Sequence, residues 1–556
     1  MCGIAGIFSF DRTVDFSTIK AMTDIISHRG PDGEGHWISE DQHLAFGHRR
    51  LSIIDLSVHA NQPMHAMDRY SIVFNGEIYN YIELKEKLLE AGYRFHTQSD
   101  TEVLLALYDQ KKEKCLDDLD GMFAFAIWDS VEEELFCARD RFGEKPFHYC
   151  FHENALYFGS EMKSFWEIGI PKKRNEAMFD YFKRVNLAHD PEKPEQTFYE
   201  NTFRLVHGHW MKVKKDGTHI IQKWYDLDWK KQDSTLSFEE ACEEFDRLFQ
   251  LSLTRRFRAD VPVGTSLSGG LDSSSIVCNM ARYVGDKNIT PKTFSARFKN
   301  FKKDEGPYID MVIEKTGFIP FSTWPTGPEM AADFEKLCFH QEEPFGSSSI
   351  YAQYRVQQLA KENNVTVLID GQGADEVLAG YIPYYYDYLQ SLFITKPFFS
   401  RFRIREQHRF IDFHTPHTGI KSFGLKLTNY YELRGKLLPN RNAKRLNAHL
   451  YNNLMCGALQ ELLRYADRNS MAHSREVRLP FLFHELVEFC FSLPDEYKLK
   501  LGWTKYIMRV AFNDILPKEV CWRKEKVGFE PPQNQWMKEA NLEGTWSSYL
   551  LKHFES

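Results

Sequence analysis

Cys2 stands directly behind the initiator methionine in "MCGIAGIF", a position from which a cysteine could do chemistry. Removal of Met1, which processing allows when the next side chain is small, would leave one residue carrying both a thiol and a free α-amine. That amine titrates near pH ~7.7 to 8.0, so part of it is unprotonated at neutral pH and can take the thiol's proton. On these eight residues alone the plainer reading is the small apolar start of a buried edge strand, because cysteine is among the most buried residue types. A second candidate is "TSLSGGLDSSS", which sets Ser268, Gly269, Gly270, Asp272, Ser273 and Ser274 in the turn between a predicted strand and a predicted helix. Two glycines let backbone N–H groups approach an anion, the helix N-terminus adds its positive end and the hydroxyls add donors, a set that suits a pyrophosphate. The GK[ST] ending of a Walker A loop is missing. A third candidate, "LIDGQGADEVLAGY", puts Asp375 at the C-terminal end of another predicted strand, where ligands bind in open α/β sheets. Taken alone, "GADE" reads more simply as a solvent-exposed acidic turn.

The elements that must position these residues fall into two groups. At 556 residues the chain is long enough for two large domains, and 43% hydrophobic with 27% charged residues is the composition of a compact globular protein. A net charge of -8 argues against nucleic acid as the main partner. Ten scattered cysteines with no CxxC pair argue against a disulfide framework or a structural zinc site. No signal-peptide pattern and no apolar run of membrane-spanning length is present, so the expectation is a cytoplasmic protein with no membrane partner. Up to about residue 225, short segments such as "GIAGIFSF", "YSIVFNGEIY", "GMFAFAIWD" and "ALYFGSE" have strand length, with helices at "YIELKEKLLEAG" and "TEVLLALYDQKK". That half reads as α+β with much antiparallel sheet. After the polar stretch "DLDWKKQDSTLS", strands at "VPVGTSL", "KTFSARF" and "VTVLID" alternate with helices, the rhythm of a parallel, helix-covered α/β sheet. Residues from Tyr381 to about Leu450 are aromatic and basic without clear period and read as an inserted helical lobe.

The serine-glycine turn resembles the pyrophosphate loop of the ATP pyrophosphatases, in which Asp375 would face Asp272 across the site. Two carboxylates beside a triphosphate call for a cation, and Mg²⁺ bridging carboxylates and phosphates supplies it. "DRNSMAHSREVRLPFL", "GWTKYIMRVAF" and "CWRKEKVGF", in that order, extend the resemblance to the synthetase domain of glutamine-dependent asparagine synthetases. "CGIAGIF", "SHRGPDGEG", "GHRRLSIIDLS", "FNGEIYN", "SDTEVLLALY", "LDGMFAFAIWD" and "RDRFGEKPFHY" resemble the class II glutamine amidotransferase domain, also in the family's order. The resemblance spans nearly the whole chain and reverses the first reading of Cys2.

It implies an α+β N-terminal nucleophile sandwich of antiparallel sheets with helices over residues 1–225. An α/β parallel-sheet ATP-pyrophosphatase domain with a helical insertion would follow over 226–556. The catalytic set it implies is Cys2 as nucleophile, with the Asn75 amide and the Gly76 N–H as oxyanion donors. The implied glutamine site takes in Arg49, Arg50, Leu51, Ser52, Ile53, Asn75, Gly76, Glu77 and Asp100. Within it, Arg49 receives the α-carboxylate while Glu77 and Asp100 receive the α-ammonium. The implied ATP site takes in Ser266, Leu267, Ser268, Gly269, Gly270, Asp272, Ser273, Ser274, Ala296, Asp370, Gly371 and Gln372. A C-terminal lysine completes it, with Lys524 and Lys526 competing for the role and Lys505 a further candidate, and Mg²⁺ at Asp272 and Asp375. Glutamine, ATP and aspartate are the implied substrates, ammonia would cross an apolar passage past Met122, and a homodimer is left open. Three departures bear on the acceptor: Gln372 stands where many relatives carry an acid, Phe483 where the "PFLD" pattern has an aspartate, and the long insertion after Tyr381 is not shared by the shorter enzymes. Alternatives are amidation of another carboxylate, such as a sugar acid or a natural-product acid, and a silent glutamine- or nucleotide-binding regulator.

Overall fold

The structure is a computed structural model that describes residues 2–233, 235–284, 290–385, 387–388, 445–524 and 528–555. The N-terminal half holds two six-stranded antiparallel sheets packed face to face. In the first the order is Phe203–Arg204, His148–His152, Ala155–Gly159, Gly3–Ser9, Leu44–Arg50 and Gly33–Ile38. In the second it is His219–Lys223, His209–Lys214, Glu134–Arg139, Gly121–Asp129, Tyr70–Ile78 and Met64–Ala66.

Strand alternation decides which residues meet between these sheets. On Gly3–Ser9, Ile4 and Phe8 enter a core shared with Val73 and Ala124 of the second sheet, whereas Ala5 and Ile7 face the opposite way. On Leu44–Arg50, Leu44 and Phe46 enter the same inter-sheet core and Ala45 does not. Counting on by twos, Cys2, Arg50, Asn75 and Glu77 fall on the inter-sheet faces, and Arg49 falls on the other. Helices Tyr81–Glu90 and Asp100–Lys111 cover the outer face of the second sheet through Leu84, Leu88 and Val103–Tyr108.

The C-terminal half is built on a five-stranded parallel sheet ordered Ile319–Thr323, Lys292–Ala296, Val263–Ser266, Val367–Ile369 and Glu476–Arg478. It begins with the helix Phe238–Arg256, opened by a capping box in which Ser237 and Glu240 satisfy each other's backbone N–H groups. The two outermost strands are the ones the sequence hides: Ile319–Thr323 carries Pro320, tolerated at a sheet edge, and Glu476–Arg478 is only three residues long and charged at both ends. Most of the inserted lobe expected between Tyr381 and Leu450 lies outside the described residues. All ten cysteines are free thiols, and no helix among the described residues is long and apolar enough to cross a membrane.

Candidate active sites

The first site lies where the N-terminal strand meets the second sheet. The backbone N–H of Cys2 donates to Asn75 Oδ1 over 2.9 Å, and its thiol faces the Leu51 carbonyl at 4.0 Å. With its oxygen so engaged, the Asn75 amide turns Nδ2 inward, where that buried donor has no hydrogen-bond partner among the described residues. Gly76 follows on the strand, and a Cβ there would come within 2.1 Å of the Met122 carbonyl oxygen, so only glycine allows the two strands to approach. Burial pushes the Cys2 thiol above its ordinary value, and the nearby Arg50 charge acts in the opposite direction. Burial also raises the two carboxyls, Glu77 well above its usual range and Asp100 to about 6. Asp100 receives the Ile78 N–H at 2.9 Å, while one carboxylate oxygen of Glu77 has no hydrogen-bond partner among the described residues.

The structure separates the adjacent arginines. Arg49 leaves the strand on the outer face, where its guanidinium lies against Asp24 and reaches Glu34 at 2.5 Å. The position first expected to take the glutamine α-carboxylate is therefore turned away from Cys2, because neighbouring side chains on a strand point to opposite faces. Arg50 takes the inner face, donating at 2.7 Å to both the Ser57 carbonyl and Asn61 Oδ1 and buttressing the loop that carries Leu51, Ser52 and Ile53.

Two buried arginines that the sequence did not single out also border this site. Arg29, from "SHRGPDG", donates through Nε to the Cys2 carbonyl at 3.0 Å. Arg478, from the C-terminal half, approaches Glu77 at 3.6 Å and bonds Glu476 at 2.5 Å, while its backbone carbonyl accepts the Asp370 N–H at 3.0 Å. The sequence signal for Arg478 was its place in "SREVRLPFL", but only the folded pairing shows which half it serves.

The second site is a cavity of about 540 Å³ at the C-terminal ends of the parallel strands, lined only by residues from Ser266 onward. Its wall includes Ser266, Leu267, Ser268, Gly270, Asp272, Ser273, Ala296, Asp370, Gly371, Gln372, Asp375, Lys505 and Lys524. The turn into the helix Leu271–Val284 is stitched by its own hydroxyls: Ser268 and Ser273 Oγ lie 3.1 Å apart, and Gly270 N–H donates to Ser268 Oγ at 3.3 Å. Gly269 holds φ at +82° behind the loop, packed against Glu305, and Ser274 Oγ is buried without a hydrogen-bond partner among the described residues. Gln372 reaches the cavity with its carbonyl oxygen likewise buried and without such a partner.

The ammonium of Lys505 sits between the two aspartates, in contact with Asp272 and 2.7 Å from Asp375. Burial alone would lower the lysine's pKa, yet the two carboxylates outweigh it and raise the pKa above the ordinary value. Lys505 holds a left-handed φ of +53° at the start of the helix Tyr506–Ala511, backbone strain of the kind that concentrates at functional sites. Lys524 lines the cavity as well, and Lys526 lies outside the described residues. Phe483 is fully buried beneath Arg255 and Arg256, outside the cavity wall.

An apolar cluster joins the two halves between these sites. Leu51, Ile53, Tyr79 and Met122 come from the first, Val367 and Met471 from the second, and Val367 begins the strand that ends at the Asp370 loop.

Comparisons with known proteins find a match in each half. A family model described as a glutamine amidotransferase domain matches residues 1–225, and one described as asparagine synthase matches residues 244–551. The chain is 33% identical to the glutamine-hydrolyzing asparagine synthetase 1 of Bacillus subtilis, with 100% of this chain and 90% of that protein covered. It is 30% identical to asparagine synthetase 3 of the same organism, over 94% of this chain and 86% of that protein. A putative asparagine synthetase 2 of Methanocaldococcus jannaschii is 35% identical, over 72% of this chain and 79% of that protein. With matches to both family models and to glutamine-hydrolyzing asparagine synthetases along its length, the chain belongs to the glutamine-hydrolysing asparagine synthetase family.

Proposed function

We propose that the chain makes asparagine from aspartate, taking the amide nitrogen of glutamine and converting ATP to AMP and pyrophosphate. Residues 1–225 form the glutaminase half and 226–556 the synthetase half. The observation that carries this reading is the pairing of two sites in one chain, bridged by the apolar cluster around Met122.

In the glutaminase half, loss of Met1 frees the Cys2 amine, which Asn75 Oδ1 holds in place. The amine takes the thiol proton, and the sulfur attacks the side-chain amide carbon of glutamine. Asn75 Nδ2 and the Gly76 N–H receive the oxyanion, the first being a buried donor that otherwise has no partner among the described residues. Collapse of the adduct gives a thioester and ammonia, which leaves with the proton that the amine had taken, and water then releases glutamate. Ammonia must cross as the neutral molecule, since ammonium has no lone pair, and an apolar lining such as Leu51, Met122 and Val367 favours that form.

In the synthetase half, the Ser268–Ser274 turn and its helix N-terminus hold the phosphates of ATP while the aspartate side-chain carboxylate attacks the α-phosphorus and displaces pyrophosphate. Ammonia then attacks the acyl carbon of the adenylate and displaces AMP, losing a proton to leave the amide. Among the described residues no group of three or more histidine, cysteine, aspartate or glutamate side chains is arranged to hold a metal. Asp272 and Asp375 nevertheless share one cation, the Lys505 ammonium, and two carboxylates beside phosphate oxygens are the donors a hard divalent ion takes. The residues present therefore fit Mg²⁺, which when bound would neutralise charge on the phosphates. Lys505 is placed to move from the aspartates to the phosphates. Gln372, neutral and with an unmet acceptor, is suited to orient the acceptor by hydrogen bonding rather than to remove a proton.

Arg50, rather than Arg49, is assigned the glutamine α-carboxylate. Arg50→Ala is expected to raise the glutamine KM about tenfold or more, the loss of a charge-assisted hydrogen bond. Arg49→Ala is expected to change it less than about threefold, as an exposed ion pair does. Steady-state glutaminase kinetics on the two variants check the assignment, and the reverse order would return the role to Arg49.

The acceptor is tested by giving the enzyme glutamine, ATP and a panel of carboxylic acids and following pyrophosphate release. Aspartate is expected to trigger it, and release with another acid but none with aspartate would overturn the acceptor assignment.

A further inference from the structure

We infer that Asp467, a residue of the synthetase half, is a positioning residue for the glutaminase nucleophile and acts on it through Arg29. The inference rests on the glutaminase reading above. Arg29 is fully buried, and its guanidinium makes three kinds of contact. Nε donates to the Cys2 carbonyl at 3.0 Å, Nη1 reaches Glu161 at 2.9 Å, and Nη1 and Nη2 together grip Asp467 at 2.9 and 3.0 Å. Asp467 stands on the helix Ala458–Ala472, 438 residues further along the chain.

A two-point grip on a planar guanidinium fixes its plane as well as its place. That plane sets the direction of the Nε–H bond to Cys2. Asn75 meanwhile holds the nitrogen of the same residue, so the backbone of Cys2 is pinned at both ends by side chains of the glutaminase half, one of which, Arg29, is itself held by Asp467 of the synthetase half. The thiol and the amine that must exchange a proton both hang from that backbone.

Glu161 cannot do this work alone. It is also shared by His28 at 3.1 Å, by Lys163 in direct contact and by Arg468 at 3.1 Å, and Arg468 in turn reaches Glu342 at 2.7 Å. Among the described residues, Asp467 alone meets Arg29 through both carboxylate oxygens. Burial by itself would raise the Asp467 carboxyl, and the Arg29 charge outweighs it and holds the group below the usual carboxylate range. Buried ion pairs of this sort add little net stability compared with apolar packing, so geometry is the more economical reason for one here. The glutaminase site is thus incomplete without the synthetase half.

The test is Asp467→Asn in the full-length enzyme, an isosteric change that keeps one acceptor and removes the charge. Glutaminase kcat is expected to fall about tenfold or more, as a small misplacement of a nucleophile does. The glutamine KM should move less than about threefold and ammonia-dependent synthesis less than about twofold, since neither Arg50 nor the ATP cavity is touched. Alkylation of Cys2 by iodoacetamide, followed by mass spectrometry of the N-terminal peptide, should slow in step with kcat. In an Arg29→Lys background the same Asp467→Asn change should cost less than about twofold more, because the two residues act as one unit. Equal loss of glutaminase and ammonia-dependent synthesis would overturn the inference, as would multiplicative effects in the double variant or an unchanged kcat. A wild-type enzyme without glutaminase activity would overturn both the inference and the reading beneath it.

Discussion

Cys2→Ala is expected to abolish both glutaminase activity and glutamine-dependent synthesis, lowering each at least about a thousandfold, as loss of a nucleophile does elsewhere. Alanine is small enough to permit Met1 removal and leaves the amine in place, so only the sulfur is lost. The bond from the residue's nitrogen to Asn75 Oδ1 and the bond from Arg29 to its carbonyl both use backbone atoms and survive the change. Synthesis from added ammonium salt at mildly alkaline pH should continue near the wild-type rate, since every residue lining the ATP cavity lies at or beyond Ser266. Enzyme that keeps Met1, or carries an uncleaved N-terminal tag, should behave like Cys2→Ala, because an amide nitrogen has negligible basicity. Paired assays with glutamine and with ammonium read out both losses. Full glutamine-dependent turnover in a verified Cys2→Ala protein would return the cysteine to a structural role.

Asp272→Asn and Asp375→Asn should each have the complementary effect. Both carboxylates contact the Lys505 ammonium, and both would share the metal that accompanies the triphosphate. An amide keeps the size and one acceptor but gives up the charge that a hard cation needs. Synthesis should fall by a hundredfold or more, on the order of what charge stabilisation at a phosphoryl centre supplies, with glutamine or ammonia as nitrogen source. Basal glutaminase should persist in both variants, since neither aspartate touches Cys2, Asn75 or Arg50. ATP-dependent product formation near the wild-type level in both would remove the magnesium assignment, and loss of glutaminase as well would show that the change had spread beyond the cavity.

The candidate residues of both sites were legible in the sequence where they sit in short, local patterns. "MCGIAGIF", "FNGEIYN" and "LSGGLDSSS" each keep their residues within one strand or one turn, although for Cys2 the eight residues alone favoured a structural role and only the resemblance along the chain reversed it. The choice between Arg49 and Arg50 was not legible, because it depends on which face of Leu44–Arg50 meets the second sheet. That face is set by the partners of Phe46 and Ala45 rather than by the arginines themselves. Asp467 and Arg478 were beyond reach for a different reason. Each meets the glutaminase half across hundreds of residues, and a single sequence carries no signal of contacts formed only when two halves dock. Lys505 was one of three candidate lysines, and the contact of its ammonium with both aspartates is visible only in the fold. The edge strands Ile319–Thr323 and Glu476–Arg478 escaped because proline and charge are permitted at a sheet edge.

Nitrogen tracing tests most directly the central claim that two chemistries in one chain are joined by transfer of ammonia between them. Wild-type enzyme given ATP, aspartate and glutamine labelled with ¹⁵N at the side-chain amide is predicted to form asparagine carrying ¹⁵N in its own side-chain amide. One AMP and one pyrophosphate should appear for each asparagine. The label should be retained even in the presence of a modest excess of unlabelled ammonium, because on the proposed route past the apolar cluster the nitrogen would not mix with solvent. Asparagine that lacks the label, or glutamine hydrolysis and pyrophosphate release that proceed with no labelled amide formed, would contradict the account.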